Sequence, residues 1–197
     1  MAGQFPTETI QIRKFVGERY WGGRYLDIGA GHPERLSNTF DLYQAAWTGD
    51  LYEPNEGFWR KLAVRRPRDV VHPVAVSDSS GWQTFWQNGE LSTLEESFMN
   101  RASRSFTRST ARVVEARNLT GQYYFWSLDV EGHEGRILRR IDFTRLAIGI
   151  FLIESAEFGT RAPTYRDWED HLLANGYRFF VEFSFLNRFC NRSCYPV

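Results

Sequence analysis

Cysteine is nearly absent from this chain: there are 2, Cys190 and Cys194, both close to the C-terminal end. A disulfide framework is therefore excluded, and two thiols alone do not make a zinc site. Net charge is also missing. The 24 basic residues, only two of them lysine (Lys14 and Lys61), balance 24 acids, and the isoelectric point is about 6.9. That balance removes the bulk attraction on which non-specific nucleic-acid binding depends. One arginine-rich stretch runs from Arg101 to Arg117 through Arg104, Arg108 and Arg112, interspersed with serine and threonine, and reads as a solvated loop. No apolar run approaches the roughly 20 residues that a membrane-spanning helix needs. The opening MAGQFPTETIQIRKF has no cationic segment followed by an apolar one, so no secretory signal is expected and a cytoplasmic location is. Repeats, low-complexity tracts and Pro/Ser-rich linkers are absent as well.

What remains is a chain of 197 residues, 42% hydrophobic and rich in aromatics, of a size for one full core. Strand-like and helix-like patterns alternate in the manner of βαβ units. Helical patterns are expected over 8–20, 34–45, 56–64, 133–140 and 164–175, the last capped by Gly176. Strands are expected over 24–28, 48–53, 69–76, 82–86, 112–116, 123–130 and 146–153. A closing hairpin is expected from 177–185 and 187–190. Segments 123–130 and 146–153 are so uniformly apolar that they predict strands buried on both faces. The stretch 81–120 is the least regular.

The first strand runs into Asp27-Ile28-Gly29-Ala30-Gly31. In an open parallel sheet, ligands bind beyond the carboxyl ends of the strands, and glycines there let the backbone approach a ligand. A dinucleotide fingerprint needs a third glycine where this chain has Glu34. An acid at an expected helix start would repel a pyrophosphate, whereas the amino group and sulfonium of S-adenosylmethionine suit acidic surroundings. Glu53, at the end of the second strand in Glu53-Pro54-Asn55, stands where a ribose-binding acid is expected.

The run LDIGAGHPERLSNT from Leu26, then Glu53-Pro54-Asn55, PVAVSD from Pro73, SLDVEGHE from Ser127, and Glu154 resemble the FkbM family of S-adenosylmethionine-dependent O-methyltransferases. Trp168-Glu169, Gly176-Tyr177, Asn187-Arg188-Phe189 and Gln4 continue the likeness, which covers about nine tenths of the chain. The resemblance implies one Rossmann-like class I methyltransferase domain over 1–197, with residues 1–22 as a helical segment packed on it. Its mostly parallel seven-stranded sheet would carry helices on both faces and a C-terminal antiparallel hairpin. It further implies that Asp27, Gly29, Ala30 and Gly31 line the methionine end of the cofactor, that Glu53 and Pro54 meet the ribose, and that residues 74–78, including Ala75, Val76 and Asp78, frame the adenine. Ser37 and Asn38 read as cofactor contacts or as helix-surface residues. His32 reads as a cofactor contact or as a loop residue before Pro33. The sequence departs from the family pattern at Gly31, where Asn is common, at Phe183-Ser184-Phe185 in place of Phe-Asp-Gly, and at Cys190 in place of Tyr.

Methyl transfer needs the acceptor, methyl and sulfur in line and a destination for the acceptor's proton. Asp129, Glu131, His133 and Glu134 crowd the turn after strand 123–130. In one reading Asp129 or Glu131 orients the acceptor and His133 takes its proton. In another, Asp129 and Glu131, joined by Glu154, bind a hard divalent cation such as Mg²⁺. Helix capping is the plain alternative, preferred for Glu134. The expected acceptor, from the resemblance, is a hydroxyl of a sugar or glycosylated small molecule, with no nucleic-acid or membrane partner and with a homo-oligomer left open. An N-methyltransferase, one acting on a non-sugar small molecule, and a non-catalytic S-adenosylmethionine-binding module are the alternatives, with a nicotinamide oxidoreductase disfavoured by Glu34.

Overall fold

The computed structural model describes residues 23–102, 104–156, 162–183 and 187–192, so the expected helix 8–20 and the N-terminal segment 1–22 lie outside the described residues. A strand β1 (Arg24–Ile28) occupies the middle of a seven-stranded sheet. Beyond it on one side lie β2 (Thr48–Tyr52) and the short β3 (Val70–His72), all parallel. On the other side follow β7 (Gly121–Leu128) and β8 (Leu146–Glu154), also parallel. Next comes β10 (Asn187–Arg192), antiparallel to β8 and to the outermost strand, β9 (Tyr177–Phe183). The parallel block is thus five neighbouring strands, and the turn that would join β9 to β10 as a hairpin lies outside the described residues. Because the chain moves outward from β1 to β2 and returns to place β7 on its other flank, the strand order reverses at β1 and opens a crevice at the carboxyl ends of β1 and β7.

The central strands are buried on both faces, as their apolar runs predict. On β7, Phe125 packs with Tyr25, Trp47, Leu62 and Leu152, while Trp126 points the other way, toward Ile148, Phe151, Trp168 and Tyr177. Successive side chains of a strand face opposite ways, so one apolar run supplies both layers of core.

Three expected elements differ. The helix after the glycine turn is α1 (Phe40–Gln44) and does not begin at residue 34. Leu36 takes a left-handed φ of 56°, which breaks a helix, and Ser37, Asn38 and Thr39 spend their side chains on interior partners. Segment 69–76 is two strands. Val74 turns back to donate to the His72 carbonyl (2.8 Å) beside Pro73, which has no N–H for a ladder, and the chain passes from β3 into β4 (Ala75–Ser77) of a second sheet. That sheet has the order β4-β6-β5, with β5 (Gly81–Gln87) antiparallel and β4 parallel to a long β6 (Thr107–Glu115). The expected helix 164–175 is one 3-10 turn (Tyr165–Asp167) followed by α5 (Glu169–Ala174). Helix α2 (Glu56–Arg65) follows β2 and is capped by Asn55, whose side chain accepts from the Gly57 N–H. Between β5 and β6 lies α3 (Glu96–Arg101), and after β7 comes α4 (Glu134–Leu138).

Candidate active site

The crevice at the switch point is built on the turn after β1. Gly29 and Gly31 both have positive φ, 81° and 57°. The N–H groups of Gly29 and Ala30 point to the Tyr52 carbonyl at 3.0 and 3.3 Å, tying the turn to the end of β2. Glu53 completes the tie: one carboxylate oxygen accepts from the Gly31 N–H (2.8 Å) and the other from the Asn55 N–H (2.7 Å). Burial pushes its pKa up to about 7.

Two adjoining recesses open here. One is lined by Gly29, Gly31, Glu53, Pro54, Ala75, Val76, Phe85, Thr93, Asp129 and His133. The other is lined by Gly29, Ala30, Gly31, His32, Arg35, Glu90, Asp129 and Glu131. The structure therefore brings together eight of the expected cofactor and catalytic residues along the first recess, and adds Ala30, His32 and Glu131 along the second. Asp27, Ser37, Asn38 and Asp78 line neither. Asp27 lies behind the turn, buried, accepting from the Thr39 hydroxyl (2.5 Å), and burial pushes its pKa up to about 6. Ser37 accepts from Arg66, and Asn38 donates to Ser127 while its carbonyl oxygen has no partner among the described residues. Asp78 pairs with Arg136 at 3.2 Å. Glu34 lies in the loop and is ion-paired with Arg65 at 2.7 Å, so it does not stand at a helix start.

The acids after β7 fall into two groups. Glu131 has φ 55°, a conformation that costs a non-glycine residue free energy and that clusters at functional sites. Its carbonyl is pinned by the Thr93 hydroxyl (2.9 Å), and one carboxylate oxygen is buried without a partner among the described residues. Asp129, Glu134 and Glu154 form the second group, each offering an oxygen within 4.8 Å of the others. Glu134 accepts from the Val130 N–H at 2.9 Å and, more weakly, from the Gly132 N–H at 3.4 Å, so it does cap the turn, and burial raises it to about 7. Glu131 and Glu154 are both raised well above the usual carboxylate range by burial and by the neighbouring acids. His133 is buried between Glu95 and Ser77: Nδ1 lies 2.8 Å from a Glu95 oxygen and Nε2 3.0 Å from the Ser77 hydroxyl. The hydrogen bond with His133 holds Glu95 below the usual carboxylate range, and since a carboxylate can only accept, Nδ1 is the donor.

Sequence reasoning did not single out Phe58, Phe85, Glu90, Thr93 or Glu95. Phe85 and residues 90–95 reach the crevice only because the second sheet folds back over it. Buried Arg66 also escaped notice, since a run of three arginines and a lysine in 60–66 reads as a solvated helix face.

The family model for the FkbM methyltransferase domain matches residues 27–179. The chain belongs to the FkbM methyltransferase family. It is an S-adenosylmethionine-dependent methyltransferase of Rossmann-like α/β fold. Among solved structures, this FkbM methyltransferase is similar to the 1,6-didemethyltoxoflavin-N1-methyltransferase of Burkholderia thailandensis, at TM-score 0.54 and 14% identity over 96% of this chain and 77% of that one. Magnesium protoporphyrin IX methyltransferase of Synechocystis, with bound S-adenosylmethionine, is similar at TM-score 0.52 and 14% identity, covering 95% and 78%. An S-adenosylmethionine-dependent O-methyltransferase of Thermotoga maritima is similar at TM-score 0.53 and 10% identity, covering 100% and 69%. No relative is found among the curated proteins. No helix of the described residues is long and apolar enough to cross a membrane.

The crevice fits the cofactor of this FkbM methyltransferase. Glu131, with one buried oxygen unpartnered, lines the recess beside Ala30 and Gly31 and suits a cationic group, while Ala75, Val76 and Phe85 give the other recess apolar walls suited to a base. Raised carboxylates also have a consequence for stability. A carboxyl whose pKa is higher in the folded than in the unfolded chain favours folding below its unfolded value near 4.5, and that contribution is lost as pH rises through about 7. The unliganded protein is expected to lose about 5 °C in Tm between about pH 5 and about pH 8, measured by scanning calorimetry. A flat or rising Tm over that window would show that these acids are solvated.

Proposed function

We propose that this methyltransferase acts on a hydroxyl of a sugar or glycosylated small molecule, with Asp129 at the reacting centre. The observation that carries this reading is the place of Asp129, which borders both recesses of the cofactor crevice and belongs to the carboxylate group with Glu134 and Glu154. Glu53 would meet the ribose, Pro54, Ala75 and Val76 the nucleoside, and Glu131 the cationic end. Asp27 would support the glycine turn from behind. The cofactor supplies an electrophilic methyl group. The chain's own contribution is to align the acceptor and to take the proton its hydroxyl loses. Asp129, at the border shared by the two recesses, is placed for that role. His133, with Nδ1 committed to Glu95, would act by positioning the turn. The fold does not choose the acceptor atom, since proteins sharing it include an N1-methyltransferase and an O-methyltransferase.

In variants Asp129→Asn and Glu131→Gln, formation of S-adenosylhomocysteine over a panel of hydroxyl and amine acceptors is expected to fall about 100-fold or more. Titration calorimetry of Asp129→Asn with S-adenosylhomocysteine should stay within about threefold of the parent. Full activity in both variants would remove the site from consideration.

A second reading has its own observation, the three convergent oxygens of Asp129, Glu134 and Glu154, hard ligands suited to Mg²⁺. Glu131 is not among the three. In the structure a hydrogen bond between Glu154 and Asp129 occupies this place, so a cation would have to displace a proton. Activity lost in EDTA and restored by Mg²⁺ would establish the metal; indifference to EDTA would exclude it.

A further inference from the structure

Behind the carboxylates lies a separate cavity of about 300 Å³. Glu134 and Glu154 line it, and each offers an oxygen within 4.8 Å of one from Asp129, which borders the crevice. Its lining sets three arginines, Arg101 of α3, Arg136 of α4 and Arg139 at the C-cap of α4, among the acids Glu95, Glu134, Glu154 and Asp167. Arg136 is already shared between Asp78 (3.2 Å) and Glu95 (3.1 Å). Arg139 is different, since among the described residues its hydrogen bond goes to a backbone carbonyl, that of Asp167 (2.6 Å). Trp168, 1% exposed, also lines the cavity, and its indole N–H has no acceptor among the described residues. A buried N–H without an acceptor costs on the order of 1–3 kcal/mol, which makes it a marker for a missing ligand. The two side chains converge on Gly135: a methyl group built there would sit 3.3 Å from an Arg139 terminal nitrogen and 3.5 Å from Trp168 Cδ1, the ring carbon next to the N–H.

We propose that this cavity is the acceptor pocket and that the acceptor carries an oxyanion, held by the Arg139 guanidinium and the Trp168 indole N–H, with its reacting end toward Glu154. A guanidinium and a neutral N–H together match an oxyanion, which accepts from both at once. The acceptor assignment rests on the methyl-transfer reading; the oxyanion site does not.

The test reads the Trp168 indole resonance in proton–nitrogen correlation NMR, identified by its loss in Trp168→Phe. Inorganic phosphate, added at constant ionic strength against chloride, is expected to shift this resonance saturably. Arg139→Gln should weaken that binding at least about tenfold, by loss of the charge-assisted bond. A hexose phosphate and a uronic acid distinguish phosphate from carboxylate as the source of the anion, with the unmodified hexose as control; a preference for either anion over the control supports the pocket. No shift with any anion, an equal shift with the neutral hexose, or an unchanged affinity in Arg139→Gln would overturn it. S-adenosylhomocysteine is titrated into the same sample. If it fails to bind while phosphate still moves Trp168, the oxyanion site stands and the acceptor role falls with the methyl-transfer reading.

Discussion

Gly29→Ala is expected to reduce affinity for S-adenosylhomocysteine by at least about 100-fold and to destabilise the protein by several kcal/mol, on the order of the cost of backbone strain plus a core clash. Two separate effects add at this position. The residue has φ 81°, where a side chain is strained, and a Cβ there would fall 1.8 Å from the Asp129 carbonyl oxygen and 2.9 Å from the Asp129 carbonyl carbon. Neither atom can retreat, because the Asp129 N–H donates to the Ile28 carbonyl (3.1 Å) and holds the end of β7 against the end of β1. The added methyl must force apart the two strand ends that make the crevice. Gly31 makes the opposite case. Its φ of 57° is one that asparagine adopts readily, and the nearest atom to a Cβ is 3.9 Å away. Gly31→Asn should therefore bind S-adenosylhomocysteine within about threefold of the parent, an estimate from the small cost of Asn in the left-handed region. Calorimetric titration of both variants checks the pair, and a Gly29→Ala protein that binds normally would show that the turn is not the cofactor cradle.

Arg66→Met is expected to cost about 3–5 kcal/mol in denaturant-unfolding free energy and about 10 °C in Tm. Arg66 is wholly buried and donates to the Asp69 carboxylate (2.8 Å), the Tyr25 hydroxyl (2.8 Å), Thr39 (2.8 Å) and Ser37 (3.2 Å). Asp69 in turn accepts from Tyr25 (2.6 Å) and from the Gly49 N–H (2.9 Å), and Thr39 donates to Asp27. Removing the cation leaves the Asp69 and Asp27 carboxylates buried with reduced compensation, which is why the loss should exceed that of an ordinary ion pair. Arg66→Lys keeps the charge but has one ammonium for four acceptors spread around a planar fork, and should recover only part of the stability. Because the network backs the turn through Thr39 and Asp27, cofactor affinity should fall in step with stability. A variant as stable as the parent would mean that the buried network does not depend on the Arg66 cation.

Most strands were legible because burial on both faces writes itself as an uninterrupted apolar run, as in Leu146–Glu154, and because a strand ending in two glycines marks a switch-point turn. Residue types at strand ends were legible for the same reason: Glu53 and Asp129 sit at the crevice because their strands end there. The helix expected at 34–45 failed on a competition that periodicity does not register. Ser37, Asn38 and Thr39 have side chains that reach Arg66, Ser127 and Asp27, from 12 to 89 positions away, and those bonds outcompete a local helix.

By itself, then, the sequence determined the parallel core, the glycine turn and the acids after the fourth parallel strand, since these follow from local periodicity and from the special backbone angles that glycine allows. Only the tertiary structure decided that Asp27 stands behind the turn and Glu131 before it, that residues 85–95 roof the crevice, and that Trp168 and Arg139 converge on Gly135 at a second cavity. The physical reason is distance along the chain: each of these arrangements depends on which long-range partner satisfies a buried polar group, and that partner is chosen when the layers pack.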